Sequence, residues 1–244
     1  MKIDAKGLNY KELNRKLKEL VSKDDALEIE ILNVNGHRYL GTGLKNSNVI
    51  IRLHGVPGND LAAFMNGGSI FVYGNAEDGV GNTMNMGLVV IHGDARDVVG
   101  YSMRGGKIFI KGNVGYRAGI HMKAYKNRFP IIVIGGKAED FLGEYMAGGV
   151  IVVLNSNNEK HPVGKFTATG IHGGTIFVRG KISEEHLGIG AEIGTPNEEE
   201  INLLNDLISE YFSYFKVNKN LNLSEFTKIH SKSHRPFAKL YVLE

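Results

Sequence analysis

Apolar residues in the middle of the chain recur in short alternating runs at a fixed period. Residues 65–83 (MNGGSIFVYGNAEDGVGNT), 84–102 (MNMGLVVIHGDARDVVGYS) and 103–121 (MRGGKIFIKGNVGYRAGIH) are successive copies of one 19-residue unit, marked by Met65, Met84, Met103 and Met122. Each copy carries two β-branched residues two positions apart: Ile70/Val72, Val89/Ile91 and Ile108/Ile110, continued by Ile132/Ile134, Ile151/Val153 and Ile176/Val178. Such alternation sets both side chains on one face of a strand. A 19-residue unit is too short for an autonomous sheet or a β-α-β unit. It fits one coil of a parallel β-helix, with coils stacked about 4.8 Å apart. The pattern predicts an all-β chain, a parallel β-helix of about seven coils with helical appendages at both ends.

The register extends both ways. Ile51 lies 19 residues before Ile70, so residues 48–64 read as an earlier, degenerate coil. Met146 follows Met122 by 24 residues, a five-residue insertion that predicts a protrusion at 123–130. Gly74, Gly93, Gly112 and Gly136 follow the strand runs, where positive φ or close backbone approach is expected. Gly81, Gly100, Gly119 and Gly143 mark a second corner.

The ends differ in pattern. Tyr10, Leu13, Leu17, Leu20 and Val21 have helical spacing. Residues 27–34 alternate, and Asn35-Gly36 predicts a hairpin leading to Tyr39-Leu40. Thr195-Pro196-Asn197-Glu198 predicts a helix start, read as a capping box with Pro at the first helical position. Ile201, Leu204, Leu207, Ile208, Tyr211, Phe212 and Phe215 form one apolar face after it. The expected division is an N-terminal cap (1–43), the β-helix (44–194) and a C-terminal helix with a basic tail (195–244). The ends are expected to cover open ladders. The tail reads as a solvated extension or a docking arm.

One row calls for a partner. Phe71, Val90, Phe109, Val133, Val152 and Phe177 stand between the inward residues and so point outward. Stacked apolar side chains should not stay in water. Either the chain's own terminal helices cover this candidate interface row, or another protein does.

Chemistry is sparse. With 29 basic and 26 acidic residues the net charge is +3, too mild to indicate nucleic acid or a membrane surface. Cysteine is absent, which excludes disulfides, thiolate catalysis and Cys-ligated metal sites. The nine histidines form no compact metal-ligand spacing, and His92 reads as solvated. Glu77-Asp78, Asp94/Asp97 and Glu139-Asp140 recur at equivalent corners and read as exposed charged corners. The Met65/Met84/Met103/Met122/Met146 column reads as packing. Gly79-Val80-Gly81 and the glycines of 188–194 lack the strand–loop–helix context of a dinucleotide loop and read as turns. No catalytic, cofactor-binding or metal-binding residue is assigned. Residues 1–20 hold no uninterrupted apolar run of a secretory signal, so a cytoplasmic protein is expected.

The spacing Gly-x6-Gly-x5-Gly-Gly, read from Gly74 to Gly81 or from Gly112 to Gly119, resembles the GXGXG domain of the glutamate synthase large subunit. The resemblance includes NVNGHRY at 33–39, GEYMAGG at 143–149 and the segment 202–208 of the closing helix. It looks like a stand-alone, archaeal-type form. The resemblance implies a right-handed parallel β-helix, consistent with the handedness of parallel crossovers. It also implies a scaffold that holds an amidotransferase unit and an FMN- and iron–sulfur-bearing synthase unit, with no cofactor of its own. Homo-oligomers stay open. The same repeat resembles the β-helix subunit of formylmethanofuran dehydrogenase. A free-standing β-helix polysaccharide lyase or hydrolase ranks last, because tryptophan sugar platforms and a secretory signal are missing.

Overall fold

The computed structural model describes residues 1–22, 27–217 and 221–233. Its frame is a parallel β-solenoid of about seven turns. The strands are β1 (Lys2–Asp4), β2 (Leu27–Asn35), β3 (Val49–Val56), β4 (Asn66–Tyr73), β5 (Met86–Ile91), β6 (Lys107–Ile110), β7 (Ile131–Ile134), β8 (Ala147–Val153), β9 (Gly173–Arg179), β10 (Ala191–Gly194) and β11 (Phe226–Ser231). All lie in one sheet, in chain order from β1 to β9 and then β11 and β10. Pairing is parallel from β1 through β9.

The repeat sets the register. Ile51, Ile70, Val89, Ile108, Ile132, Ile151 and Ile176 are successive ladder partners, so the inward aliphatics form one layered column. The second inward position behaves alike, and both are fully buried. Isolated bridges join Ala76, Ala95, Val114, Ala138 and Val163 into a second ladder on another wall. The Met column, Met65, Met84, Met103, Met122 and Met146, is buried between coils.

The corners carry a pattern the glycines only hint at. Left-handed φ recurs at every second residue in sets of three: 39/41/43, 60/62/64, 79/81/83, 98/100/102, 117/119/121, 141/143/145 and 166/168/170. Many of these positions are not glycine, and Val98 (φ 52°) is β-branched, where this region is strained. Hydrogen bonds between coils hold it. The amides of Val98 and Ser102 donate to Tyr116 O and Ile120 O of the following coil, and Gly100 N donates to Val80 O of the preceding one. The amides of these three left-handed residues thus point alternately to the following and the preceding coil, and all three are satisfied.

The ends close the stack. Helix α1 (Tyr10–Val21) is capped by Asn9 and buries Leu13 and Leu17 against the inner column. At the other end β11 pairs antiparallel with β9 and β10, and Ile229 and Ala191 join the inner column. The open ladder of the last coil is thereby covered.

Three expectations change. The hairpin at Asn35-Gly36 does not form: β2 pairs in parallel with β3, residues 39–40 are turn, and the sheet begins before residue 44. The alternation of 27–34 therefore belongs to the solenoid itself. Helix α2 (Glu198–Phe215) starts two residues later than predicted: Asn197 is the N-cap, boxed with Glu200, and Pro196 lies outside. The tail is in part a strand, β11, because Phe226 and Ile229 gain burial against the last coil. Residues 218–220 and 234–244 of that tail lie outside the described residues.

Candidate functional site

The outer row has a cover from the same chain. Val90, Phe109, Val133, Val152 and Phe177 are fully buried, in one cluster with Leu204, Leu207, Ile208, Tyr211 and Phe215 of α2. The helix spacing i, i+3/i+4, i+7, i+11 brings those five onto one face. Polar contacts fix the helix at its rims. Tyr211 Oη donates to Lys111 O at 3.0 Å, Lys107 Nζ meets Glu210 at 2.6 Å, and Lys228 Nζ meets Glu200 at 2.7 Å. Burial pushes the Tyr211 phenol up to about 12. Burial, with Glu210 beside it, does the same to Tyr214. Phe71 is only half-buried, with Arg52 stacked over its ring at 5.0 Å and Tyr214 at its edge. The row is therefore a hydrophobic core between sheet and helix, with Phe71 alone at its margin.

The eight turn glycines fall into two groups. At Gly81, Gly100, Gly119 and Gly143 φ is left-handed, and a Cβ would run into the inward Ile of a following coil. At Gly74, Gly93, Gly112 and Gly136 φ is not left-handed, and the requirement is close approach. A Cβ on Gly112 would overlap the Asp94 carboxylate that accepts from Asn113 N at 2.7 Å.

That bond is part of a series, and it revises the reading of the acidic corners. Asn75 Oδ1 accepts from Asp94 N at 3.0 Å, Asp94 from Asn113 N, and Asn113 Oδ1 from Lys137 N at 2.9 Å. Asp78 and Asp97 accept from Asp97 N at 3.2 Å and Tyr116 N at 3.0 Å, and Asp140 from Lys165 N at 2.8 Å. Each side-chain oxygen satisfies an amide one coil on. These carboxylates and amides staple coils together instead of merely facing solvent.

His92 is also not simply solvated. Its ring stacks on Tyr73 at 4.8 Å and meets the edge of Phe215 at 5.2 Å, while Tyr73 stacks on His54 at 4.9 Å. Burial first, and the Lys111 ammonium second, push its imidazole below the ordinary histidine value. The unfolded chain then binds this proton more readily than the folded one. The stabilisation from neutral His92 is complete above about pH 6.5 and is lost as pH falls through the depressed folded value. We expect the wild-type denaturation midpoint to drop more than that of His92→Phe between about pH 7.5 and about pH 5.5. Parallel pH profiles for the two proteins would show that His92 is not held neutral.

The structure exposes a surface that the sequence pattern did not single out. At the corners, Tyr101 meets His121 edge-on at 6.1 Å, and His121 stacks on Tyr145 at 5.3 Å. Beside them Arg117 lies over Phe141 at 4.8 Å, and Phe141 stacks on Phe166 at 5.1 Å. Arg117 Nε donates to Glu144 at 2.9 Å, which joins the two columns. The insertion at 123–130 stands next to them, with Tyr125, Lys126, Asn127, Arg128 and Phe129 exposed. The recurrence of aromatic residues at corner positions was the available signal, but only the stacking of coils shows that they touch.

Gly79-Val80-Gly81 lies in a corner, and residues 191–194 form β10, so neither glycine run opens a helix that could take a phosphate. Among the described residues no group of three or more His, Asp or Glu is placed to hold a metal ion. No described helix is long and apolar enough to cross a membrane.

The stacked coils and their glycine-rich corners define a parallel β-solenoid. Residues 10–239 match the family described as GXGXG motif, and the chain belongs to that family, which occurs in glutamate synthase. The uncharacterized protein MJ1350 of Methanocaldococcus jannaschii is 48 % identical over 249 residues, covering 98 % of this chain and 95 % of its own length. Gly-x-Gly-x-Gly is the spacing of the three left-handed positions in each corner, filled here as Gly79/Gly81/Thr83 and Tyr39/Gly41/Gly43.

Proposed function

We propose that this chain is a non-catalytic structural subunit of a multi-subunit glutamate synthase. It holds an amidotransferase unit and an FMN- and iron–sulfur-bearing synthase unit in a fixed relation, in the cytoplasm. The observation that carries the reading is membership of the GXGXG motif family over residues 10–239, in a chain with no cysteine. Such a chain offers no thiolate for glutamine hydrolysis and no thiolate ligand for a cluster. A solenoid whose coils stack in one continuous ladder suits a spacer between catalytic units.

The test is reconstitution. The purified chain alone should form no glutamate from glutamine and 2-oxoglutarate, and it should co-elute with amidotransferase and FMN proteins from the source cells. Recovery of molybdenum or tungsten proteins instead would move the assignment to a formylmethanofuran dehydrogenase-like complex. Cleavage of a polysaccharide by the chain itself would overturn both.

A further inference from the structure

We propose that the corner face running from Phe166 through Tyr145 to the loop at 123–130 docks an acidic protein surface. This rests on the scaffold reading, since one of the held subunits is taken as the occupant. The outer row is sealed by α2, so it cannot serve as the contact. The corner face is open: Phe166 is 51 % exposed, Tyr145 38 % and Phe129 46 %.

Three observations select the occupant. The first is charge. Lys123, Lys126, Arg128 and Lys165 are exposed, and among the described residues none of them has a carboxylate within ion-pair distance. Between Tyr145 and the loop the carboxylates are engaged, Glu144 buried against Arg117 and Asp140 accepting from Lys165 N, while Glu184 and Glu185 lie exposed one coil beyond Lys165. From Tyr145 to the loop, what this face offers outward is cationic, through Lys123, Lys126 and Arg128, and complementarity there calls for an acidic partner. A second copy docked two-fold on the same face would set these cations against each other.

The second observation is shape. The rings are held against one another along the coil axis at 5.1 and 5.3 Å, with coils fixed by backbone bonds at each corner. This makes a flat, pre-ordered aromatic strip, the composition and rigidity of a protein contact centre. A bilayer surface favours side chains that project past the headgroups.

The third is continuity. Arg104 Nη1 donates to Ser102 O at 2.6 Å and to His121 O at 3.0 Å, and Lys123 N donates to Met103 O at 2.9 Å. Tyr125 and Arg128 exchange backbone hydrogen bonds of 3.1 and 2.9 Å, which close the loop as a fixed finger. The basic loop and the aromatic strip therefore present one surface.

The experiment isolates the full chain with its native partners from source cells, identifies the partners by mass spectrometry, and compares amide exchange of the chain bound and free. Slowed exchange at 98–104, 116–128, 141–145 and 166 in a complex with an amidotransferase or FMN protein supports the inference and the scaffold reading together. The same protection under an acidic protein of another kind keeps the inference and removes the scaffold reading. Protection elsewhere on the chain overturns the inference and leaves the scaffold reading in place. Failure to retain a protein overturns both, whether or not vesicles rich in phosphatidylserine bind the loop. In the supporting case Lys123→Glu/Lys126→Glu/Arg128→Glu should weaken binding at least about tenfold and flatten its salt dependence. Phe166→Ala should weaken binding with the salt dependence unchanged. Both variants alter exposed side chains, so their circular dichroism should match the wild type.

Discussion

Phe109→Asp should lose at least about 4 kcal/mol of stability, from the lost ring and the buried carboxylate together. Phe109 is fully buried, and its ring lies 5.1 Å from that of Tyr214. The outer row and α2 share one apolar cluster there, so a carboxylate would have neither water nor a cation. The loss is comparable to the whole stability of many domains, roughly 5–15 kcal/mol. Partial or complete release of α2 from the sheet is the expected form of the damage. Phe71→Asp, at the margin and under Arg52, should cost only about 1–2 kcal/mol. Urea denaturation of both variants, followed by circular dichroism and tyrosine fluorescence, makes the comparison. Equal losses at the two positions would mean that α2 does not cover the row as described.

Gly100→Ala should cost about 2–4 kcal/mol, well beyond the usual effect of Gly to Ala at a surface turn. Two causes add. An L-residue at φ +68° is strained, and the new Cβ would stand 2.5 Å from Ile132 Cδ1. The contact arises because the inward Ile of a following coil reaches over this corner. Gly36→Ala separates the two causes, since Gly36 has φ +67° with nothing within 4 Å of the added carbon. It should cost only about 1–2 kcal/mol. Ile132→Val removes the clashing methyl, so the double variant Gly100→Ala/Ile132→Val should recover about 1 kcal/mol relative to the sum of the singles. Strict additivity would show that the corner relaxes away from Ile132, and that the glycine serves the backbone alone.

The proposed docking face is set by different physics from the fold. A row of alternate aliphatics must be buried, and the repeat already names it. A corner aromatic has no such requirement, because one ring in water is ordinary. It becomes a surface only when coils bring Tyr145 over His121 and Phe166 over Phe141. The Asx staples behave similarly. Asn75, Asp94 and Asn113 look like turn residues of one corner in the sequence, but each bonds the next coil.

The 19-residue period and its β-branched pairs determined the solenoid, the order of its coils and the inner column, and helical spacing at the ends determined the two terminal helices. They could do so because side-chain alternation along a strand is a local property, and a repeated local unit has to stack on itself to bury its core. Tertiary structure alone decided that Asn35-Gly36 turns a solenoid corner, that Val98 takes left-handed φ, that the tail strand β11 seals the last coil and that α2 covers the row from Val90 to Phe177. Those outcomes depend on which distant segment pairs with a ladder edge or covers an apolar face, and on inter-coil hydrogen bonds that hold a backbone its own residues disfavour. No run of neighbouring residues encodes that competition.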